Sequence, residues 1–248
     1  MGKKGFWIAT IGILFGFAGG FFFANMLNRQ EIDSLKAKAA QAAPAEKGEP
    51  GEQDQNGSDL SPDEIRQKIA QADQNPENTD YQKKLGMSLY FYAGAKKDTT
   101  FLPDAKRLML RAYEKDPKDY DLLVALGNVS FDLGQKDQDN KSLDEAREFY
   151  RRALEIKPKE VELQTDMGST YFLQNPPQYE KALAEYRKSL RLDPDHTRTL
   201  DNLSRTLIML GQTREAEEHI AKLKKLEPGY PGLSDLQSLL AQKSNAEK

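Results

Sequence analysis

The apolar positions of the chain follow two different patterns. From Gly5 to Leu27 there are 23 residues without a charge, and a helix of that length spans roughly 35 Å, enough for a bilayer core of about 30 Å. Trp7 near the start, Lys3 and Lys4 before it and Arg29 after it put aromatic and basic groups where lipid headgroups lie. The pattern predicts a basic tail at 1–4 and a transmembrane helix at 5–27 that meets membrane lipid. A cleaved signal peptide is the rival reading, but the run ends Phe21-Phe22-Phe23-Ala24-Asn25-Met26, without a small-x-small cleavage site. Gly12, Gly16 and Gly20 share one helix face, which lets a second helix approach closely and gives a route to a homo-oligomer; ordinary glycine use in membrane helices is the plainer alternative. Basic residues nearly balance across the span. The short acid-free tail favours a cytoplasmic N-terminus and an extracytoplasmic, periplasmic-type location for the bulk of the chain.

After residue 60 the apolar residues instead recur every three or four positions, as on one face of a helix. Residues 28–58 join the two regimes. Ile32 and Leu35 favour a helical extension of the span, whereas Pro44 to Ser58 holds no Ile, Leu, Val or aromatic residue and reads as a flexible linker. At 59–76 a capping helix is expected: Ser61 can cap, Pro62 suits the first helical position, Glu64 can close a capping box, and Ile65, Ile69 and Ala72 share one face.

The later segments repeat. Pro76, Pro117, Pro158, Pro194 and Pro228 close successive blocks; ten residues after each of the first four stands Gly86, Gly127, Gly168 or Ser204, and twelve before each of the last four stands Ala105, Ala146, Ala182 or Ala216. Small residues in such register mark where two antiparallel helices must approach closely, with larger side chains such as Met109, Tyr150, Tyr186 and Ile220 filling the flanks. Each pair leaves an apolar face that only a neighbouring pair can cover.

On these residues, and on runs such as Ala153-Leu154-Glu155-Ile156-Lys157-Pro158, the sequence resembles a tetratricopeptide repeat (TPR) protein. The resemblance implies an all-α solenoid of four helix-pair repeats, at 77–117, 118–158, 159–194 and 195–228, with a C-terminal capping helix and tail at 229–248. Against the family's period, the spacing between the small residue and the alanine is stretched to 19, 19 and 14 in the first three repeats. Insertions are therefore expected in the turns at 93–103, 134–142 and around Asn175-Pro176-Pro177, either as a contact surface or as neutral extensions. The frequent tryptophan of the first helix is replaced by Gln82, Leu123, Gln164 and Leu200.

Charge and chemistry narrow the function. The formal net charge is −3; residues 31–60 hold seven acids against Lys36, Lys38 and Lys47, and the nearly neutral remainder argues against a nucleic-acid surface. The absence of cysteine removes disulfides, thiol catalysis and Cys-rich metal sites. Asp137, Asp139 and Glu148 imitate part of a calcium loop, but Lys141 and Ser142 occupy positions that need a ligand and a glycine. The two histidines, His196 and His219, are expected to be surface residues. No catalytic residue, metal site or cofactor is expected, and the chain reads as a binder.

The TPR resemblance places a protein or peptide partner along the face lined by the first helices. Carried over position by position, this groove comprises Lys83, Val124, Thr165 and Asp201; Met87, Asn128, Ser169 and Arg205; and Tyr90, Phe131, Phe172 and Ile208. The last row either contacts an amphipathic or extended peptide or packs between repeats. TPR clamps for a C-terminal carboxylate want Asn, Lys and Arg where Met87, Glu162 and Asp166 stand, so that subtype does not fit. The expected function is a membrane-anchored scaffold or adaptor. The alternative is a subunit of an envelope assembly or of a cytochrome c maturation-type apoprotein-handling complex, oligomerising through the transmembrane glycines.

Overall fold

Ten helices account for nearly all of the described chain. In a computed structural model residues 60–246 are described. The helices are α1 (Pro62–Gln74), α2 (Thr79–Lys96), α3 (Leu102–Lys115), α4 (Tyr120–Asp137), α5 (Asn140–Ile156), α6 (Val161–Phe172), α7 (Tyr179–Leu192), α8 (Thr197–Met209), α9 (Thr213–Leu226) and α10 (Leu233–Ala246). There is no strand among the described residues. The span expected at 5–27, with Gly12, Gly16 and Gly20, and the linker at 28–58 lie outside them. Among the described residues no helix is long and apolar enough to cross a membrane.

The helices stack in sequence order. Helices α2 and α3, α4 and α5, α6 and α7, and α8 and α9 form four pairs, and the second helix of each pair packs on the first helix of the next element. Helix α1 covers the start of the array and α10 its end, against α8 and α9. The start of α1 is set by a capping box: Glu64 N–H donates to Ser61 Oγ at 3.3 Å, and Ser61 N–H donates to the Glu64 carboxylate at 2.7 Å.

Close helix approach explains the small residues. A Cβ at Gly86 would stand 2.6 Å from Met109 Cγ, one at Gly168 would stand 2.5 Å from the Tyr186 ring, and one at Gly127 would meet the Tyr150 ring still closer. On the opposing helices Ala105, Ala146, Ala182 and Ala216 are completely buried. In the fourth repeat Ser204 takes the small position and returns its hydroxyl to Leu200 O at 2.7 Å, so it too needs no space beyond its own helix. Of the closing prolines, Pro117, Pro158, Pro194 and Pro228 are all exposed just beyond the ends of α3, α5, α7 and α9.

Two expected loops are shortened by helix, leaving 97–101 and 138–139 outside it. The residues inserted at 93–103 and 134–142 mainly lengthen α2 and α4 to 18 residues each, against 12 and 13 for α6 and α8. An insertion with good helix formers continues an existing helix at the cost of only one residue's ordering per hydrogen bond, so no long loop forms. Lys97 and Gln138, at φ 54° and 52°, end the two extended helices in the left-handed region. In the third repeat the extra residues do form a turn, and it is tied down: Asn140 Nδ2 donates to Asn175 O at 2.7 Å, Asn175 N–H donates to Asn140 Oδ1 at 2.9 Å, and Gln174 Nε2 donates to Asp144 at 2.9 Å.

The missing tryptophans are replaced in two ways. Leu123 and Leu200 are buried apolar fillers. Gln82 is completely buried and donates to Ala72 O at 2.6 Å and to Asn75 O at 3.1 Å, which satisfies carbonyls at the end of α1. Gln164 donates to the buried Glu185 carboxylate.

The apolar core has two parts, one running from Ile65 to Leu163 and the other from Ala182 to Leu236. Between them lies a buried polar seam. Thr165 Oγ1 is 2.8 Å from Ser189 Oγ and 2.6 Å from Thr199 Oγ1, and Ser189 and Thr199 are 3.0 Å apart. All three are fully buried, and their hydroxyls satisfy one another.

Candidate functional site

The first helices of the pairs, α2, α4, α6 and α8, line one face, and the twelve groove residues divide along it by accessibility. In the first row Lys83 is ion-paired with Asp119, which also caps α4 by accepting from Leu122 N–H at 3.0 Å. Val124, Thr165 and Asp201 are buried. Asp201 is only 2% exposed and is held by Arg205 Nε at 3.1 Å. Burial raises the Asp201 carboxyl, against the opposing charge of Arg205 and the hydrogen bonds from Arg205 and Tyr230.

In the third row Tyr90, Phe131 and Ile208 are buried and Phe172 is half-buried against Tyr179, with ring centroids 5.4 Å apart. Burial of this row is what packing between repeats requires. Large apolar side chains on the short flank of a helix pair lose more by facing water than by meeting the adjacent repeat.

The middle row is the accessible one. Met87, Asn128, Ser169 and Arg205 are all half-buried, one on each first helix. Two of them are oriented by a tyrosine of the second helix: Tyr150 OH donates to Asn128 Oδ1 at 2.9 Å, and Tyr186 OH donates to Ser169 Oγ at 3.2 Å. The same two tyrosine rings occupy the space over Gly127 and Gly168. Close packing and groove polarity are thus set by one side chain in each repeat. Met87 and Asn128 also line a shallow cleft with Tyr90, Phe91 and Ala125.

A charged network that sequence reading did not assemble runs along the same face. Arg198 pairs with both Glu162 and Asp166; its Nη1 donates to Asp166 at 2.5 Å. His196 joins Glu162 Oε1 at 2.8 Å through Nε2 and Thr199 Oγ1 at 2.6 Å through Nδ1, linking the network to the polar seam. Burial pushes the Glu162 carboxyl up, but the His196 hydrogen bond and the Arg198 charge outweigh it and hold it at about 2. At Asp166 burial prevails over Arg198 and the carboxyl is raised. The Asp132 carboxyl is also raised, to about 7, by loss of solvent and by the charge of Asp166, against the Tyr90 hydroxyl. Glu162 and Asp166 sit four apart on α6, and Arg198 stands at the start of α8. Their helical spacing was visible in the sequence, whereas the 36-residue reach from Glu162 to Arg198 needed the repeat register.

Within the run that imitates part of a calcium loop, Asp139 has a structural role. Asp139 caps α5, accepting from Lys141 N–H at 3.1 Å and Ser142 N–H at 3.0 Å. The position that a calcium loop would give to a ligand is thereby occupied by backbone donors. Among the described residues no group of three or more histidine or acidic side chains is placed to hold a metal.

Paired helices of this length, small residues at the crossing and stacking in sequence order define a TPR-type helical solenoid. Tetratricopeptide repeat family profiles match residues 178–242 and 138–160. Among solved structures, a crystal structure of MamA is similar at 19% identity, covering 66% of this chain and 87% of MamA with a TM-score of 0.53. MamA from Desulfovibrio magneticus RS-1, from position 41 to its end, is similar at 16% identity, covering 68% of this chain and 86% of that one with a TM-score of 0.54. At these identities the likeness is one of fold. No curated protein sequence matches.

Proposed function

We propose that this chain is a membrane-anchored, non-enzymatic scaffold whose TPR face holds a segment of a partner protein along Met87, Asn128, Ser169 and Arg205. The observation that carries the reading is this row: half-buried, chemically varied, and repeated once on each first helix while the rows beside it are largely shut. Such a row offers successive side-chain contacts at the spacing of the repeats, which suits an extended or helical segment. The uncharged run from Gly5 to Leu27 supports anchoring, and the acid-free tail before it supports an extracytoplasmic position for the solenoid.

Affinity purification of the full-length tagged chain from native membranes tests the groove. Asn128→Arg and Ser169→Arg, which put a bulky cation into the middle row, are expected to reduce stoichiometric co-purifying protein by about tenfold with helical content unchanged. The exposed second-helix change Arg151→Glu should leave it intact. Equal recovery from all three variants would place the partner elsewhere. Protease access to the solenoid in spheroplasts, but not in intact cells, is the expected result for sidedness; cleavage only after membrane lysis would reverse the orientation.

A further inference from the structure

His196 stands just before α8, half-buried, with both ring nitrogens engaged. Its Nε2 is 2.8 Å from Glu162 Oε1 on α6, and its Nδ1 is 2.6 Å from Thr199 Oγ1 on α8. The ionised Glu162 carboxylate can only accept, so Nε2 carries a hydrogen. A neutral ring then has none on Nδ1 and must take one from Thr199, whereas an imidazolium donates one to it.

The hydroxyls behind Thr199 favour the donating ring. Thr199 Oγ1 is 2.6 Å from Thr165 Oγ1 and 3.0 Å from Ser189 Oγ, and those two are 2.8 Å apart. Thr165 Oγ1 also donates to Val161 O at 2.8 Å, and Ser189 Oγ lies 3.1 Å from the same oxygen. Each hydroxyl has one hydrogen to give, too few to serve all of these pairs and His196 Nδ1 as well. A hydrogen on Nδ1 releases that of Thr199 for the interior, where all three side chains are fully buried.

Charge around the ring agrees. From α6 Glu162 touches it and Asp166 feels its charge, while the Arg198 cation of α8 opposes it but is divided between those two carboxylates. Asp193 and Asp195 precede the ring at the end of α7. Lys222 of α9 is held by Asp195 at 2.9 Å and Pro194 O at 2.7 Å, and Lys188 of α7 by Glu185 at 2.8 Å.

We propose that a second proton on His196 closes a clasp between the third and fourth repeats, running from Glu162 through the ring to Thr199 and on to Thr165 and Ser189. The clasp lies where the apolar core is interrupted. Losing the proton, as pH rises through the range in which histidine titrates, removes a donor from the seam and a cation from Glu162, and the fourth repeat then moves more freely on the third. The clasp goes beyond the groove reading and holds whether or not a partner lies there.

The test follows the ring nitrogen and proton NMR signals of the histidine-labelled full-length chain in detergent micelles from pH 5 to 9. His219 is the other histidine, and His219→Gln identifies its signals. Both nitrogens of His196 are expected to remain protonated at pH 7, and Thr199→Val to lower the titration midpoint by about one pH unit. Glu162→Gln is expected to lower it as well, which keeps the test decisive should Thr199→Val fold poorly. A bare ring nitrogen at pH 7, or a midpoint that neither substitution moves, overturns the proposal. The chain has no cysteine, so spin labels attached after Ala184→Cys and Ala221→Cys, both exposed, report the setting of α7 against α9. Their distance distribution is expected to be narrower at pH 6 than at pH 8.5, and insensitive to pH when His196→Gln is added. A width in the parent that does not respond to pH overturns the clasp as a joint between repeats.

Discussion

Each repeat turns on one or two side chains whose identity is dictated by the distance between helices. Gly127 faces the Tyr150 ring so closely that an added methyl group must displace it. Gly127→Ala is therefore expected to cost about 1–3 kcal/mol. Gly94, inside α2, would meet nothing within 4 Å, so Gly94→Ala should instead stabilise by up to about 1 kcal/mol through helix propensity. Thermal melts separate the two, since about 1 kcal/mol moves the midpoint of a domain this size by about 2–4 °C. Equal effects would refute the close-approach account. Asp132 makes a prediction with a pH sign. Its carboxyl is raised in the folded chain from 3.8 to about 7, so the stability it contributes is fully present below its unfolded value and is lost as pH rises through about 7. Asp132→Asn removes that loss, and its melting temperature should exceed the parent's by more at pH 8 than at pH 5; a pH-independent difference would contradict the raised carboxyl. The small residues were legible in the sequence because the repeat register displays them four times over. Asp132 was not, because it stands in one repeat alone and a single acid on a helix is ordinarily solvated.

At the scale of elements, charge and polarity join neighbours that apolar packing alone would leave interchangeable. Arg198 holds Glu162 and Asp166 across the α6–α8 boundary. Removing it leaves two partly buried carboxylates without their cation, so Arg198→Ala should lower stability by about 3–5 kcal/mol in denaturant titrations, most of it recovered in the triple variant with Glu162→Gln and Asp166→Asn. No recovery would mean that Arg198 acts by packing. The element pattern was readable from sequence wherever periodicity and caps agree, as at α1, where Ser61, Pro62 and Glu64 mark the start. It misled at 93–103 and 134–142. Length excess against a family period says that residues are added and not what they form, and here helix continuation was available at Lys96 and Asp137 until left-handed residues ended it.

Across the whole molecule, capping and the polar seam shape behaviour. The outward residues of α10, among them Ser234, Asp235, Gln237 and Ser238, are exposed and polar, and so are Asp63, Arg66, Gln67 and Gln71 on α1. Among the described residues these outward faces are polar, as on capping helices. Inside, the hydroxyl cluster of Thr165, Ser189 and Thr199 separates the two apolar cores. Hydrogen exchange in rising denaturant should accordingly resolve two opening units, Ile65–Leu163 and Ala182–Leu236, with different free energies; one common opening free energy would contradict the division. The solenoid as a class was visible in the spacing of prolines and small residues. The accessible row was not separable from its neighbours, because residues four apart on one helix share a face in sequence terms and only the stacking of adjacent pairs decides which of them remain open. That is why Tyr90, Phe131 and Ile208, which share helix faces with Met87 and Asn128, are buried while those two stay half-buried.

The most direct test of the central claim is site-specific photocrosslinking of the full-length chain in living cells. Benzoylphenylalanine placed at Met87, Asn128 or Ser169 is predicted to trap the same partner at all three sites, while the probe at exposed Ala184 or Ala221 on the second helices traps none of it. A partner captured at Ala184 or Ala221 and absent from the groove positions would contradict the account and put recognition on the outer helices.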